Sequence, residues 1–295
     1  MVKNKIEKVI DNVTFFCYHE LGDVMPELPE VETVKNALKR QVLGKKIISV
    51  DVYYNMIDKP SVEEFKRLVK NQTIIDIKRR GKFLMFELND YYLLSHLRME
   101  GKYFVDGDLT CHDHVVFHFD DGILKYNDTR KFGRMYLIDK NKVYDEKPLS
   151  LLGLEPWDDK LNIDYLKDKL NNKRLPVKSL LLDQSIIVGI GNIYADEILF
   201  KSKINPLKKG CELNELDFGN IIKYTREILE SAIRLGGTTI KSYESSRGVH
   251  GKFQNSLLVH NHEGGKCPDC EGIVIKIKIN GRGTYYCPIC QKNDN

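Results

Sequence analysis

Four cysteines near the C-terminus carry the plainest chemistry in this chain: Cys267, Cys270, Cys287 and Cys290 form a C-x2-C-x16-C-x2-C array. Two thiolates three positions apart can grip one metal ion from a single knuckle, and two knuckles complete a closed tetrahedral zinc site. The spacer supplies the scaffold. "IVIKIKI" (273–279) alternates strictly, Asn280-Gly281 is a two-residue turn signal, and Thr284-Tyr285-Tyr286 returns, so a β-hairpin joins the knuckles. One structural Zn2+ is the expected cofactor. Lys266, Lys276, Lys278, Arg282 and Lys292 surround the thiolates, and a ribbon edged with positive charge suits a DNA groove or phosphates. A stability clip with a solvated surface is the plainer alternative. Glycines on either side place Arg282 at the hairpin tip, free to enter a crowded site.

Other stretches are less specific. Pro26-Glu27, read alone, is an ordinary helix start, with proline in the first turn and acids on the dipole. In "SIIVGIGN" (185–192) the Gly-x-Gly-Asn connection allows a tight course and exposes amide N–H groups at a helix start, a natural seat for phosphate, although a simple helix hairpin accounts for it equally. The basic runs "KRRGK" (78–82) and "PLKKG" (206–210) fit phosphate contacts or solvated faces.

Behind these residues stands a chain of 295 residues, enough for two domains and a small appended module. No apolar run approaches the ~18 residues that a membrane span needs, and the net charge of +4 is only mildly basic. "VTFFCY" (13–18) is too short for a signal sequence and no small-residue cleavage site follows it, so a reducing cytoplasm is expected. The isolated Cys17, Cys111 and Cys211 and the two tight pairs agree with metal rather than disulfides. Val31, Val34, Leu38 and Val42 recur at helical spacing before Gly44, and Ser61 with Glu64 marks a second helix start. Otherwise residues 45–139 read as strands, with a hairpin turn at "DDG" (120–122), which together make a β-sandwich with two helices. Residues 161–241 are helical, and the tail from Phe253 returns to strands around the cysteines.

"PELPEVET", "RRGKFL", "SHLRMEGKY", "DTRKFG", "LGLEP", "VGIGNIYADEILF", "GGTT" and "GRGTYYCPICQ" follow one another along the chain. In that order they resemble the bacterial formamidopyrimidine-DNA glycosylases, relatives of endonuclease VIII, from residue 25 to about residue 292. The resemblance implies an α+β fold: an N-terminal β-sandwich flanked by helices (25–155), a helix–two-turns–helix DNA-binding domain (156–252) and a zinc-finger hairpin (253–295). It implies a base-excision repair enzyme that removes 8-oxoguanine and formamidopyrimidines from duplex DNA and cleaves the abasic site by β,δ-elimination. The expected partner is damaged double-stranded DNA. No nucleotide cofactor and no membrane are expected, and the protein should be a monomer in the cytoplasm, at the nucleoid.

Residue by residue, the resemblance makes Pro26 the nucleophile through a Schiff base and Glu27 its acid/base. Glu30 is a further carboxylate that positions the helix or proton traffic. Lys82 contacts phosphate near the lesion, and Arg282 binds the same region and assists elimination. Lys178, Asn192 and His112 become DNA contacts, while Met99, Arg130 and Phe132 fill the hole left by a flipped base. Without the family, Met99 and Phe132 would read as core and Lys82 as a solvated strand-end lysine. Two other functions remain open: an endonuclease VIII-like enzyme for oxidised pyrimidines, against which "PELPEVE" speaks, and a non-catalytic binder of distorted duplex.

Three features depart from the pattern or need explanation. Pro26 is internal here, a tertiary amide that cannot form an iminium. The expected working chain therefore starts at Pro26, with residues 1–24 a misread leader; a real extension, clipped by a protease or used for regulation, is the alternative. "LGD" (21–23) can be encoded TTA-GGA-GAT, which contains a ribosome-binding AGGAG. The family's aromatic-Gly-Arg run before the zinc module is replaced by "VHNHEGGKC" (259–267), where four cysteines leave His260 and His262 no ligand role. "KSYESSRGVHGKF" (241–253) is the expected lesion-capping loop.

Overall fold

The structure, a computed structural model, describes residues 25–238 and 251–292. The upstream segment and nearly all of the expected lesion-capping loop lie outside the described residues. Helix α1 (Leu28–Val42) opens as the sequence predicts, the Glu30 carboxylate accepting the backbone N–H of Glu27 at 2.9 Å. Its apolar stripe serves two cores. Val31, Val34, Leu38 and Val42 pack into the N-terminal half, whereas Leu28 belongs with Leu180, Ile187, Ile190 and Tyr194 of the helical half. One helix thus pins both halves together.

The N-terminal half is the expected sandwich. One sheet runs β1 (Ser49–Val52), β7 (Asp113–Phe119), β8 (Gly122–Asn127), β6 (Lys102–Val105). The other runs β2 (Ile57–Lys59), β9 (Arg134–Asp139), β5 (Tyr91–His96), β4 (Phe83–Glu87), β3 (Asp76–Arg80). Val115, Phe117, Leu124 and Tyr126 of the first meet Ile77, Leu84, Phe86, Leu93 and Leu137 of the second, with α1 and α2 (Val62–Val69) completing the core. The far face of the second sheet, Phe83, Met85, Tyr92 and Leu94, is closed by Val143 and Leu149. Burial on both faces is why "FLMF" (83–86) reads as an unbroken apolar run. Strands β2, β3 and β6 escape sequence patterning. In β3 the one fully buried residue is Ile77, so no alternation announces it.

The helical half holds α3 (Ile163–Leu170), α4 (Val177–Leu181), α5 (Asn192–Lys201) and α6 (Glu215–Arg234). Helix α5 is buried from Ile193 to Phe200, acids included. Beyond it, β10 (Ile275–Ile279) and β11 (Arg282–Tyr286) form the expected hairpin, with Asn280 and Gly281 at φ 46° and 79° in the turn. Arg282 is not the tip itself: it opens the returning strand, opposite Ile279. The segment from Phe253 begins with a 3-10 turn (Phe253–Ser256) rather than a strand. Among the described residues no helix is long and apolar enough to cross a membrane.

Candidate active site and metal centre

The approach of α1 to α5 builds the site. Gly189 takes φ 90°, and a Cβ there would overlap Leu28, while a Cβ on Gly191 would lie 2.2 Å from the carboxyl carbon of Glu27. Only glycines admit that approach. Gln184 braces the loop, accepting from the N–H of Gly189 and donating to the carbonyl of Ile190. Glu27, 2 % exposed, then accepts the N–H groups of Gly191 (2.6 Å), Ile193 (2.9 Å) and Tyr194 (3.4 Å). The phosphate seat expected at this helix start is taken instead by the chain's own carboxylate. Burial pushes the Glu27 carboxyl up to about 7, against the pull of the Lys82 ammonium. Near neutrality such a group gives and takes a proton readily.

Glu30 secures this junction. Its carboxylate accepts the Tyr194 hydroxyl at 2.7 Å and both the N–H and the hydroxyl of Thr238, at 2.8 and 3.0 Å, besides the Glu27 N–H. "PELPEVET", "NIYADEILF" and "GGTT", far apart in sequence, meet on one side chain.

Lys82 follows Gly81 (φ 56°) in the two-residue turn from β3 to β4. Glu155 of "LGLEP" accepts the Gly81 N–H at 2.7 Å and bonds Arg79 and Arg80, fixing that turn. Lys82 is 5 % exposed. Burial holds its ammonium below the usual lysine range, with Glu27 and Glu30 opposing and Arg282 adding to the depression.

A cavity of about 450 Å³ gathers Glu27, Lys82, Met99, Asn192 and Arg282, with Met25 at its edge. Sequence reasoning missed several other lining residues. His96, whose imidazole burial pushes down to about 3 and so keeps neutral, accepts the Arg98 N–H on Nδ1 at 3.0 Å. Arg98 itself takes the left-handed φ of 54°. Both sit in the quoted "SHLRM", yet nothing in their spacing marks a cavity.

The remaining expected contacts brace the hairpin or stand outside the cavity. Lys178 is 1 % exposed and lies behind the hairpin, its ammonium donating to Asp196 at 2.7 Å and to the Gly283 carbonyl at 2.9 Å. Asn192 donates to the same carbonyl at 3.1 Å, so both residues hold the strand that carries Arg282. Arg130 and Phe132 stand outside the cavity on the β8–β9 loop, the guanidinium over the ring at 5.2 Å. Asp128, fully buried and overlooked in the sequence, shapes that loop by accepting the N–H groups of Arg130 and Gly133 at 3.0 and 2.8 Å. His112 is exposed at the approach to β7, and its carbonyl accepts the Asp128 N–H at 3.0 Å.

The four cysteine sulfurs lie within 4.8 Å of one another, with Cys267–Cys290 at 3.8 Å and Cys270–Cys287 at 3.5 Å. A tetrahedron of four Zn–S bonds of ~2.3 Å requires sulfurs ~3.8 Å apart, so the set fits one zinc ion with no ligand position left open. Such an ion is structural. It closes the base of the hairpin and enters no reaction step.

A cross-braced cleft with a near-neutral carboxyl and a buried lysine, faced by an arginine on a hairpin whose cysteines fit zinc, has the makings of a class: an enzyme that moves protons beside an anionic substrate. Three family descriptions match the chain in order. They are the formamidopyrimidine-DNA glycosylase N-terminal domain over residues 25–135, the H2TH domain over 152–244, and the zinc finger found in FPG and IleRS over 264–293. The formamidopyrimidine-DNA glycosylase of Oceanobacillus iheyensis is 47% identical, over 91% of this chain and 98% of the relative. That of Shouchella clausii is 45% identical, over 90% and 99%. A solved Lactococcus lactis FPG variant bound to Fapy-dG containing DNA superposes with a TM-score of 0.86 at 41% identity, covering 91% of this chain and 100% of that one. The Lactococcus lactis Fpg bound to abasic-site DNA gives 0.85, at 41% identity over 90% and 100%. The chain belongs to the formamidopyrimidine-DNA glycosylase family, and with it to the base-excision repair glycosylases that are also abasic-site lyases.

Proposed function

We propose that the chain excises oxidised purines, 8-oxoguanine and formamidopyrimidines, from duplex DNA and cleaves the strand at the abasic site through Pro26. The carrying observation is Glu27, buried with a near-neutral carboxyl beside Pro26, on one cavity with Lys82 and Arg282. As a free secondary amine, the Pro26 nitrogen puts its lone pair on the sugar C1′ and the C1′–base bond breaks, the N–H proton of the newly bonded nitrogen being given up as the leaving base takes a proton. Glu27 protonates the ring oxygen as the C1′–O4′ bond opens, leaving an iminium between Pro26 and C1′. Loss of a C2′ proton then expels the 3′ phosphate, and a second elimination expels the 5′ phosphate. Water finally hydrolyses the iminium and returns the amine. Lys82 and Arg282 neutralise the phosphates, held in place by Glu155 and by the Lys178–Asn192 clamp on Gly283. Met99, Arg130 and Phe132 fill the emptied stack, and Asn192, Lys178 and His112 support the backbone of damaged duplex.

This chemistry requires that the Met25–Pro26 bond be absent from the working enzyme, because an amide nitrogen has no lone pair to give. Two observations support residue 26 as the functional start of a 25–155 catalytic domain: the family match begins at residue 25, and Met25 lines the cavity that the sugar must enter. The functional unit is a monomer acting on DNA at the nucleoid. Borohydride trapping on an 8-oxoguanine duplex tests the reading. A chain beginning at Pro26 should form a covalent adduct, and one retaining all 295 residues should form none. Trapping by the unprocessed chain would refute the proline mechanism. Binding without trapping by the Pro26 chain would leave a damage-binding protein.

A further inference from the structure

Within the segment that departs from the family pattern, His260-Asn261-His262, the first two residues line the same cavity. Asn261 accommodates the loss of glycine by taking the left-handed φ of 62°, which asparagine tolerates. Glu197 pins the segment to α5 by accepting the N–H groups of Leu258, Val259 and His260 at 2.9, 3.0 and 2.9 Å. His260 is 5 % exposed, and its ring meets Tyr285 edge-on at 4.9 Å. Its Nδ1 bonds one carboxylate oxygen of Asp196 at 2.8 Å, while the other oxygen holds Lys178. A carboxylate only accepts, so Nδ1 carries its hydrogen and Nε2 is the atom left to titrate. Among the described residues nothing lies within hydrogen-bond distance of Nε2.

We propose that the Nε2–H of His260 binds a phosphodiester of the lesion strand and that duplex binding takes up a proton on this ring. The inference rests on the glycosylase reading, since it needs DNA backbone in the cavity. A neutral ring would turn a lone pair toward the anion, whereas a protonated ring offers a charge-assisted donor at the same atom. Asp196 and Glu197 approach from α5 and Glu27 from α1. Lys178 approaches from α4 through Asp196, Lys276 from β10, and Tyr285 and Arg282 from β11. A phosphate drawn in by Arg282 and Lys276 favours the cation of the ring that it faces.

The measurement is binding of the Pro26 chain to a duplex carrying a tetrahydrofuran abasic analogue, which cannot react. Titration across roughly pH 5.5 to 8, where an imidazole changes charge, would be paired with calorimetry in buffers of different ionisation heat. Wild type should lose up to about tenfold in affinity per pH unit on the alkaline side, with net proton uptake. His260→Gln and His260→Tyr, each checked for one zinc per chain, should take up correspondingly less, by as much as one proton. Glu27 is unchanged in both variants, so any proton of its own remains in the comparison. Equal uptake by wild type and either zinc-replete variant, or a flat wild-type profile, would overturn the role of His260. A wild type that binds the abasic duplex no better than undamaged duplex at any pH would instead overturn the underlying reading.

Discussion

Glu27 and Phe132 are both expected at the lesion, yet they sit in opposite surroundings. Glu27 is sealed at 2 % exposure by three N–H groups from the other half of the molecule, whereas Phe132 is 48 % exposed on a loop shaped within its own half by Asp128. The contrast fits the roles proposed for the two residues. Proton transfer gains from a dry, preorganised carboxyl, and burial supplies that before DNA arrives. A side chain that enters a base stack must leave its seat without tearing the core. Its apolar surface, ~1.5–3 kcal/mol when fully buried, is kept for the duplex.

The largest expected effect comes from breaking the sealed wall. Glu27→Gln should lower excision of an intact lesion by ~10²–10⁴, the range for losing a general acid. An amide nitrogen would also face an α5 N–H, costing ~1–3 kcal/mol of stability, measurable by denaturant unfolding. The pH profile sharpens the point. The acid form of Glu27 disappears as pH rises through about 7, so wild-type excision should decline above that value and the variant should show no such limb. The stability linkage has the same sign. A carboxyl raised in the folded state contributes most below its unfolded value of 4.5, and this contribution is lost as pH climbs toward about 7. An unchanged alkaline limb in Glu27→Gln would assign the acid elsewhere.

The hairpin is the intermediate case, a mobile type of element held rigid by metal below and by Lys178 and Asn192 above. Cys287→Ser should lose zinc and, with Arg282 released, lose ~10–100-fold in duplex affinity. The N-terminal sandwich, whose core shares no residue with the cluster of Phe200, Val259 and Cys287, should keep its cooperative unfolding. Normal binding by the zinc-free variant would remove the hairpin from the DNA interface.

On the rim, Arg130→Ala or Phe132→Ala should slow removal of an intact damaged base about tenfold more than cleavage at a preformed abasic site, because only the first needs a filled stack. Equal losses on both substrates would oppose the filling role. The rim was legible only through the resemblance: read alone, Phe132 is a core residue, and it is instead 48 % exposed. The zinc cysteines were legible from their spacing, since a knuckle is local. The sealed wall was not. Glu27 meets α5, Glu30 meets Thr238, Glu155 meets Gly81, and Asp196 joins Lys178 to His260, all across long separations that no spacing announces. The amides of "GIGN" were read as a phosphate seat, and no spacing announces that the carboxylate of residue 27 takes them instead. Likewise β3 stayed hidden because its charged residues bind Glu155 instead of alternating with a core.

The smallest expected effect lies farthest out on the rim, at His112. Its ring is exposed, while its backbone joins the approach to β7 to the Asp128 loop through the bond from the Asp128 N–H to its carbonyl. Replacing the side chain therefore leaves the loop's own support in place, and His112→Ala should change stability by less than ~0.5 kcal/mol. As a phosphate contact it carries no base information, so affinity should fall uniformly, by ~2–5-fold on lesion and undamaged duplex alike. Fewer released counterions should also flatten the salt dependence of binding by less than ~0.9 in slope, since an imidazole is only partly charged near neutrality. Binding measured over a salt series on both duplexes decides it. A loss confined to lesion DNA would move His112 from the rim into recognition, and a loss of stability would show that its ring supports the Asp128 loop after all.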